Sequence, residues 1–196
     1  MQYYIYSLVC FLLPGTVWLI WNKGMIADKA YKVRHIIWIY IYLFYGYLAV
    51  QEAAGIGTIW DLIAYGKLDN SINLIPFSSE GAMTYILNII MFMPLGFLLP
   101  LIWKNFRNAK KVVLMGFLMS LVIEICQLFN IRTTDIDDLM MNTLGTLVGY
   151  CCWKVFSLIF RNAGTKCVEM KKSEPVIYMF GGILGLFLLY NWRVFN

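Results

Sequence analysis

The sequence predicts an all-α protein: one multi-pass transmembrane helical bundle over residues 1–196, with about six spans and both termini extracytoplasmic. Three observations carry this. Of the residues, 61% are hydrophobic and 14% charged, against roughly a quarter charged in soluble domains. The mean hydropathy is +0.68, and it comes from long uncharged runs, several of them near the roughly 20 residues that cross a hydrocarbon core. Finally, Lys and Arg are concentrated in alternate loops. A secreted domain, a nucleic-acid binder and a cytosolic cofactor enzyme are all excluded in spite of the net charge of +5. The expected partner is the lipid bilayer, and the expected location is the cell membrane.

The first run, residues 3–21, holds no charge and is followed by Lys23, Lys29, Lys32 and Arg34. A cleaved signal peptide carries its basic residues ahead of the apolar stretch, so this run is expected to remain as a span, interrupted by Pro14 and Gly15. The second covers residues 36–55, the third 83–103, the fourth 112–129, the fifth 140–160 and the last, barely long enough, 176–192. Basic residues in short loops stay cytoplasmic. Thirteen of the 16 lie after spans one and three or around the exit of span five, whereas eight of the 11 acidic residues gather at or near the opposite face. Between residues 55 and 82, Ile59, Trp60, Leu62, Ile63 and Tyr65 are spaced for a short helix in the outer interface. The following Asn73-Leu74-Ile75-Pro76-Phe77 is apolar enough to dip back toward the bundle.

The five cysteines have no zinc-site spacing, and the adjacent Cys151 and Cys152 do not suit an ordinary disulfide; Cys10, Cys126, Cys151, Cys152 and Cys167 read as small buried hydrophobes. His35 is the single histidine, placed at the mouth of span two, so a His-based metal site or a Ser-His-Asp triad at the outer face is excluded. No metal and no cofactor are expected. Gly145 with Gly149, and Gly181 with Gly185, are spaced for close helix contact.

Charged side chains within a span cost about 2.5–3.5 kcal/mol each at its centre, so they face a bundle interior or a cavity. Glu124 lies about 7–8 Å below the outer boundary by helical rise. Gln127 shares its helix face, Asn88 sits about as deep in span three, and Gln51 and Glu52 close span two on the same side. After span four, Thr134 is placed to cap a helix, with Asp137 at its third position and acidic residues at the positive end of its dipole. Capping leaves a further pattern unexplained. Asp135, Asp138, Asn142, Gly145 and Gly149 follow intervals of 3, 4, 3 and 4 and fall on one helix face. Span four is the expected neighbour of that face through the short turn, which brings Glu124 and Gln127 toward Arg132, Asp135 and Asp138. Pro94 removes the backbone bond to Ile90 and kinks span three below Asn88, opening space at the depth of Glu124.

The segments Asn73-Leu74-Ile75-Pro76-Phe77 and Asn88-Ile89-Ile90-Met91-Phe92-Met93-Pro94-Leu95-Gly96, then Glu124 with Gln127, continuing through Arg132, Asp135, Asp138, Asn142, Gly145 and Gly149, resemble the VanZ-like family of bacterial membrane proteins. The likeness covers about residues 73–150. It implies a multi-pass protein of the bacterial cell membrane, in a family whose founding member is associated with resistance to the glycopeptide teicoplanin.

Three readings stand side by side. In the first, an outer polar pocket formed by Asn73, Asn88, Gln127 and Asn142 with the acidic residues recognises a lipid-linked envelope component or a lipoglycopeptide. In the second, a membrane enzyme acts on a lipid-linked envelope substrate at the outer leaflet. Glu124 is then general acid or base, Arg132 holds a phosphate, and Asp135 with Asp138 orients water or a divalent cation. In the third the bundle is purely structural: Glu124 pairs with Arg132, the aspartates cap a helix, and the asparagines bond across it. A transporter fits less well, because the inner halves of the spans offer few polar groups.

Overall fold

A computed structural model describes residues 2–22, 24, 29–65, 72–77, 81–129, 134–160 and 171–195. Each of the six apolar runs forms a helix: α1 Gln2–Asn22, α2 Lys29–Tyr47, α4 Ala82–Ile102, α5 Ala109–Gln127, α6 Ile136–Ile159 and α7 Glu174–Leu189. The short helix expected after span two is α3, Ile59–Tyr65, and its Trp60 Nε1 donates to the Leu188 carbonyl at the end of α7 (3.1 Å). By length and composition, Gln2–Asn22, Tyr31–Gln51 and Ala82–Ile102 are each able to cross a membrane; α7 is apolar but shorter.

α2 does not stop at Tyr47. It widens into a π-helical turn, Leu48–Ala54, closed by Gly55 in the left-handed region at φ 62°, where a residue without Cβ is at no disadvantage. A π turn carries one residue more per bond and is often found beside functional sites. Here it spreads Ala49, Ala53 and Ala54, all small, along the wall of a cavity.

Consecutive long helices alternate in direction. α1 packs antiparallel to α7: Gly185 approaches the Cys10 carbonyl, Tyr6 hydroxyl donates to the Leu189 carbonyl at 2.6 Å, and Trp18 meets Tyr178 edge-on. Of the small pair expected on α7, Gly185 is tightly packed and Gly181 is not. Gly182, its neighbour, lies against the Phe11 ring instead.

α6 is wedged between α4 and α5, running parallel to α4. A Cβ on Gly96 would come within 1.9 Å of the Thr146 carbonyl oxygen, on Gly145 within 2.3 Å of the Ile89 carbonyl, and on Gly149 within 1.9 Å of the Met93 carbonyl. The expectation that span four packs on this small face is corrected: the partner is span three. A glycine stripe brings backbone close to backbone, and α4 answers it with Gly96, whereas α5 touches α6 through Gly116 against the Thr146 side chain.

Two further expectations change. Cys10 and Cys126 are buried, but Cys151 and Cys152 are exposed on the outer surface of α6, where a weakly polar thiol suits an apolar surrounding; Cys167 lies outside the described residues. His35, expected at the mouth of span two, lies within the first two turns of α2 and is buried. It is 5% exposed, and its Nε2 lies 2.8 Å from Oε1 of Glu174, which is fully buried. Trp103 Nε1 (3.0 Å) and the Tyr178 hydroxyl (3.2 Å) donate to the same carboxylate. This network ties the start of α2, the end of α4 and the start of α7 at one end of the bundle. The second polar cluster lies at the other end.

Candidate functional site

α5 ends and α6 begins at that second end, joined through β2, Thr134–Asp135, which pairs in parallel with β1, Ile72–Asn73. The pairing sets Ile72 opposite Thr134 and Asn73 opposite Asp135, so the apolar segment 73–77 returns to the bundle. Asp135, not Thr134, is the N-cap of α6: its Oδ1 accepts from the Asp137 amide at 2.9 Å. Thr134 instead donates its hydroxyl to the Glu124 carbonyl at 3.2 Å. Both residue types cap well. Strand pairing decides between them, because it holds Asp135 extended at φ −125°, ψ 132° immediately before the first helical residue.

The acidic residues divide into two groups with different duties. Asp135 Oδ2 accepts from Asn73 Nδ2 at 3.0 Å. Asp137, fully buried, accepts the Phe77 amide at 2.9 and 3.0 Å and the Tyr85 hydroxyl at 2.9 Å. Phe77 has a left-handed backbone, φ 60°, and its ring meets Tyr85 edge-on. These two aspartates clamp the returning segment onto the helix end. Asp137 is the residue that sequence reasoning left out of the site. Its signal was present, three acidic residues within four positions, but was fully accounted for by the dipole of a helix start.

The remaining groups line one cavity of about 660 Å³ between the π turn, α4, α5 and α6. Asn88 from α4, Glu124 and Gln127 from α5, and Asp138 and Asn142 from α6 all contribute to its wall, with Pro94 beside them. Glu124 is 4% exposed, Gln127 4% and Asn142 2%. Glu124 Oε2 accepts the Asp135 amide at 3.1 Å, so the end of α5 and the start of α6 are fixed through a cavity carboxylate. Asn88 Nδ2 donates to Asp138 Oδ1, joining the two parallel helices above their glycine contact. Gln127 Nε2 donates to the Ala54 carbonyl at 3.1 Å, satisfying one of the carbonyls that a helix end leaves without an internal partner. Asn142 Nδ2 donates to Ser120 Oγ at 2.9 Å. Ser120 was also missed, though Ser120, Glu124 and Gln127 at intervals of 4 and 3 share one face of α5.

The predicted site residues are therefore placed as follows. Asn88, Glu124, Gln127, Asp138 and Asn142 are brought together around the cavity. Asn73 and Asp135 bond to each other in the clamp. Arg132 lies outside the described residues, and so does Glu52 as far as its side chain is concerned. Among the described residues no group of three or more His, Cys, Asp or Glu is arranged to hold a metal ion.

A helical bundle with membrane-length apolar helices, and with a cavity at one end into which polar side chains of three helices are gathered, defines an α-helical membrane protein. Residues 5–157 match the VanZ/LLP1 family. The chain belongs to the VanZ family. It is 34% identical over 134 residues to Protein VanZ of Enterococcus faecium, an alignment covering 67% of this chain and 77% of that protein. The family match takes in α1 and α2 as well as the 73–150 stretch that carries the motifs, and leaves α7 outside. No solved structure matches the chain.

Proposed function

We propose that this protein is a six-span protein of the bacterial cell membrane, with both termini outside, whose outward polar cavity recognises an envelope component or a lipoglycopeptide and so supports resistance to teicoplanin-type glycopeptides. The observation that carries the reading is convergence. Five strongly polar side chains from three helices, separated by up to 54 positions, meet at one cavity, although each is costly inside a membrane protein. A bundle needing only stability obtains it more cheaply from apolar packing. The outward orientation rests on the basic residues, thirteen of 16 of which fall in or beside the loops assigned to the cytoplasm, and on the alternation of helix directions that puts the start of α1 beside the end of α7. Membership of the VanZ family supports the link to glycopeptides.

The test is teicoplanin susceptibility of a host carrying the wild type, Glu124→Gln, Asp138→Asn or Arg132→Lys at matched membrane levels. Protection by the wild type and its loss in the variants is expected; equal protection by all four removes the cavity from the account. Mass spectrometry of extracted lipids and wall polymers then separates binding from catalysis, since only an enzyme acting on a lipid-linked substrate leaves a covalently changed product. For the orientation, an impermeant thiol reagent is expected to label a cysteine placed at Asp69 and to spare one placed at Lys171.

A further inference from the structure

α2 begins against its own dipole. Lys29, Lys32 and Arg34 fall in its first two turns, which hold no acidic residue, although the start of a helix carries partial positive charge and favours anions. Topology accounts for basic residues on this side of the membrane. It does not account for their placement inside a helix start, where a loop position would serve as well. His35, next in sequence, turns inward to Glu174. Arg34 is exposed, with its guanidinium carbon 4.9 Å from the centroid of the Tyr31 ring, and Lys32 is half-buried. This end of α2 is therefore electropositive, and an anion is its natural complement.

The second observation is the groove that starts there. It encloses about 590 Å³ on the outside of α2, running from Ile36 and Ile37 past Ile41 and Phe44 to Leu48 in the middle of the bundle. Helical spacing sets Lys32 one turn below Ile36 and Arg34 one turn below Ile37, so both cations stand at its lower mouth. From residue 36 to residue 48 the groove is about 18 Å long at 1.5 Å per residue, close to the ~15 Å of one leaflet's hydrocarbon. Cations at headgroup level below an apolar track one leaflet long match a phospholipid whose head is negative. A zwitterionic head offers the same phosphate but cancels its charge with an ammonium of its own. A second copy docked here by two-fold symmetry would bring two like-charged helix starts together.

We propose that the start of α2 and the groove above it form a site for one anionic phospholipid. Its phosphate lies at Lys32 and Arg34, and one acyl chain lies along Ile37, Ile41 and Phe44. With the orientation proposed above, this is a lipid of the cytoplasmic leaflet. The site does not depend on the polar cavity being a recognition site.

The test uses the full chain in an uncharged detergent, offered equal amounts of phosphatidylglycerol and phosphatidylcholine with identical acyl chains. Native mass spectrometry reads the adducts. Phosphatidylglycerol adducts are expected to exceed those of phosphatidylcholine by about tenfold. Lys32→Gln combined with Arg34→Gln is expected to bring them down to the phosphatidylcholine level, while the phosphatidylcholine adducts, unchanged, show that the variant is folded. Lys110→Gln combined with Lys111→Gln removes as much charge at the exposed start of α5 and is expected to leave the preference intact. Dihexanoyl phosphatidylglycerol, which has the head without a chain of groove length, is expected to bind less than its long-chain counterpart by a similar factor. Equal adducts of the two long-chain lipids, a preference that survives the changes at 32 and 34, or an equal loss from the changes at 110 and 111 overturns the proposal. Dihexanoyl adducts as abundant as the long-chain ones overturn the place given to the acyl chain. A dimer without lipid preference overturns it as well and gives this face to a second copy.

Discussion

Replacing Gly149 by Ala adds one methyl group at one of the two tightest points between α4 and α6. Its carbon would fall 1.9 Å from the Met93 carbonyl oxygen, whereas ordinary contact begins near 3.4 Å, so the helices must part there by about 1.5 Å, enough to forfeit a quarter to a half or more of each neighbouring dispersion contact. The obstacle is backbone and has no rotamer to change, so the cost falls at the upper end of the overpacking range, about 3 kcal/mol. For a chain of this size that lowers Tm by about 6–12 °C. Gly181→Ala is the control: its new carbon meets only Pro14 Cβ, at 3.5 Å, and a change within about 0.5 kcal/mol is expected. Thermal unfolding in one detergent, followed by tryptophan fluorescence, measures both. If Gly149→Ala is tolerated as well as Gly181→Ala, the close α4–α6 contact described above is wrong, and the cavity built across it is in doubt.

Other outcomes follow from the two polar clusters. Asp137→Ala leaves the Phe77 amide and the Tyr85 hydroxyl without their acceptor; at about 1–3 kcal/mol per orphaned group, residues 72–77 are expected to be cut sooner in limited proteolysis, while the bundle core keeps its protection. Glu174→Ala strands Trp103 Nε1 and the Tyr178 hydroxyl and removes the partner of His35; a loss of about 3–5 kcal/mol is expected in denaturant titration, smaller for the double change with His35→Leu. Gln127→Leu removes the bond to Ala54, and faster amide exchange is expected in the turn at residues 48–54, with that in α7 unaltered.

How much was legible beforehand depended on the range of the interaction. The six runs appear as helices because length and hydropathy are local properties; their bounds shift by a few residues, as at α6, which begins at Ile136 rather than 140. The grouping of Glu124, Gln127, Asp138 and Asn142 was legible too, since helical spacing and a short turn settle it. The partner of the Gly145–Gly149 face was not. Sequence adjacency favoured span four, while the decisive feature was Gly96 on span three, whose reciprocal fit with Thr146 depends on geometry across 50 positions. The His35–Glu174 pair, 139 residues apart, leaves no local trace at all. The π turn was equally hidden, because Leu48–Ala54 has the composition of an ordinary helix end.

The central claim, that the cavity between the π turn, α4, α5 and α6 carries the function, is tested most directly by filling it. Ala53 lies on its rim and is exposed, so Ala53→Trp occupies the space without altering an acidic or amide group. Teicoplanin susceptibility of a host carrying this variant at wild-type membrane levels is the deciding measurement. Protection by the wild type and its loss with Ala53→Trp is the predicted result, and undiminished protection by Ala53→Trp would contradict the account.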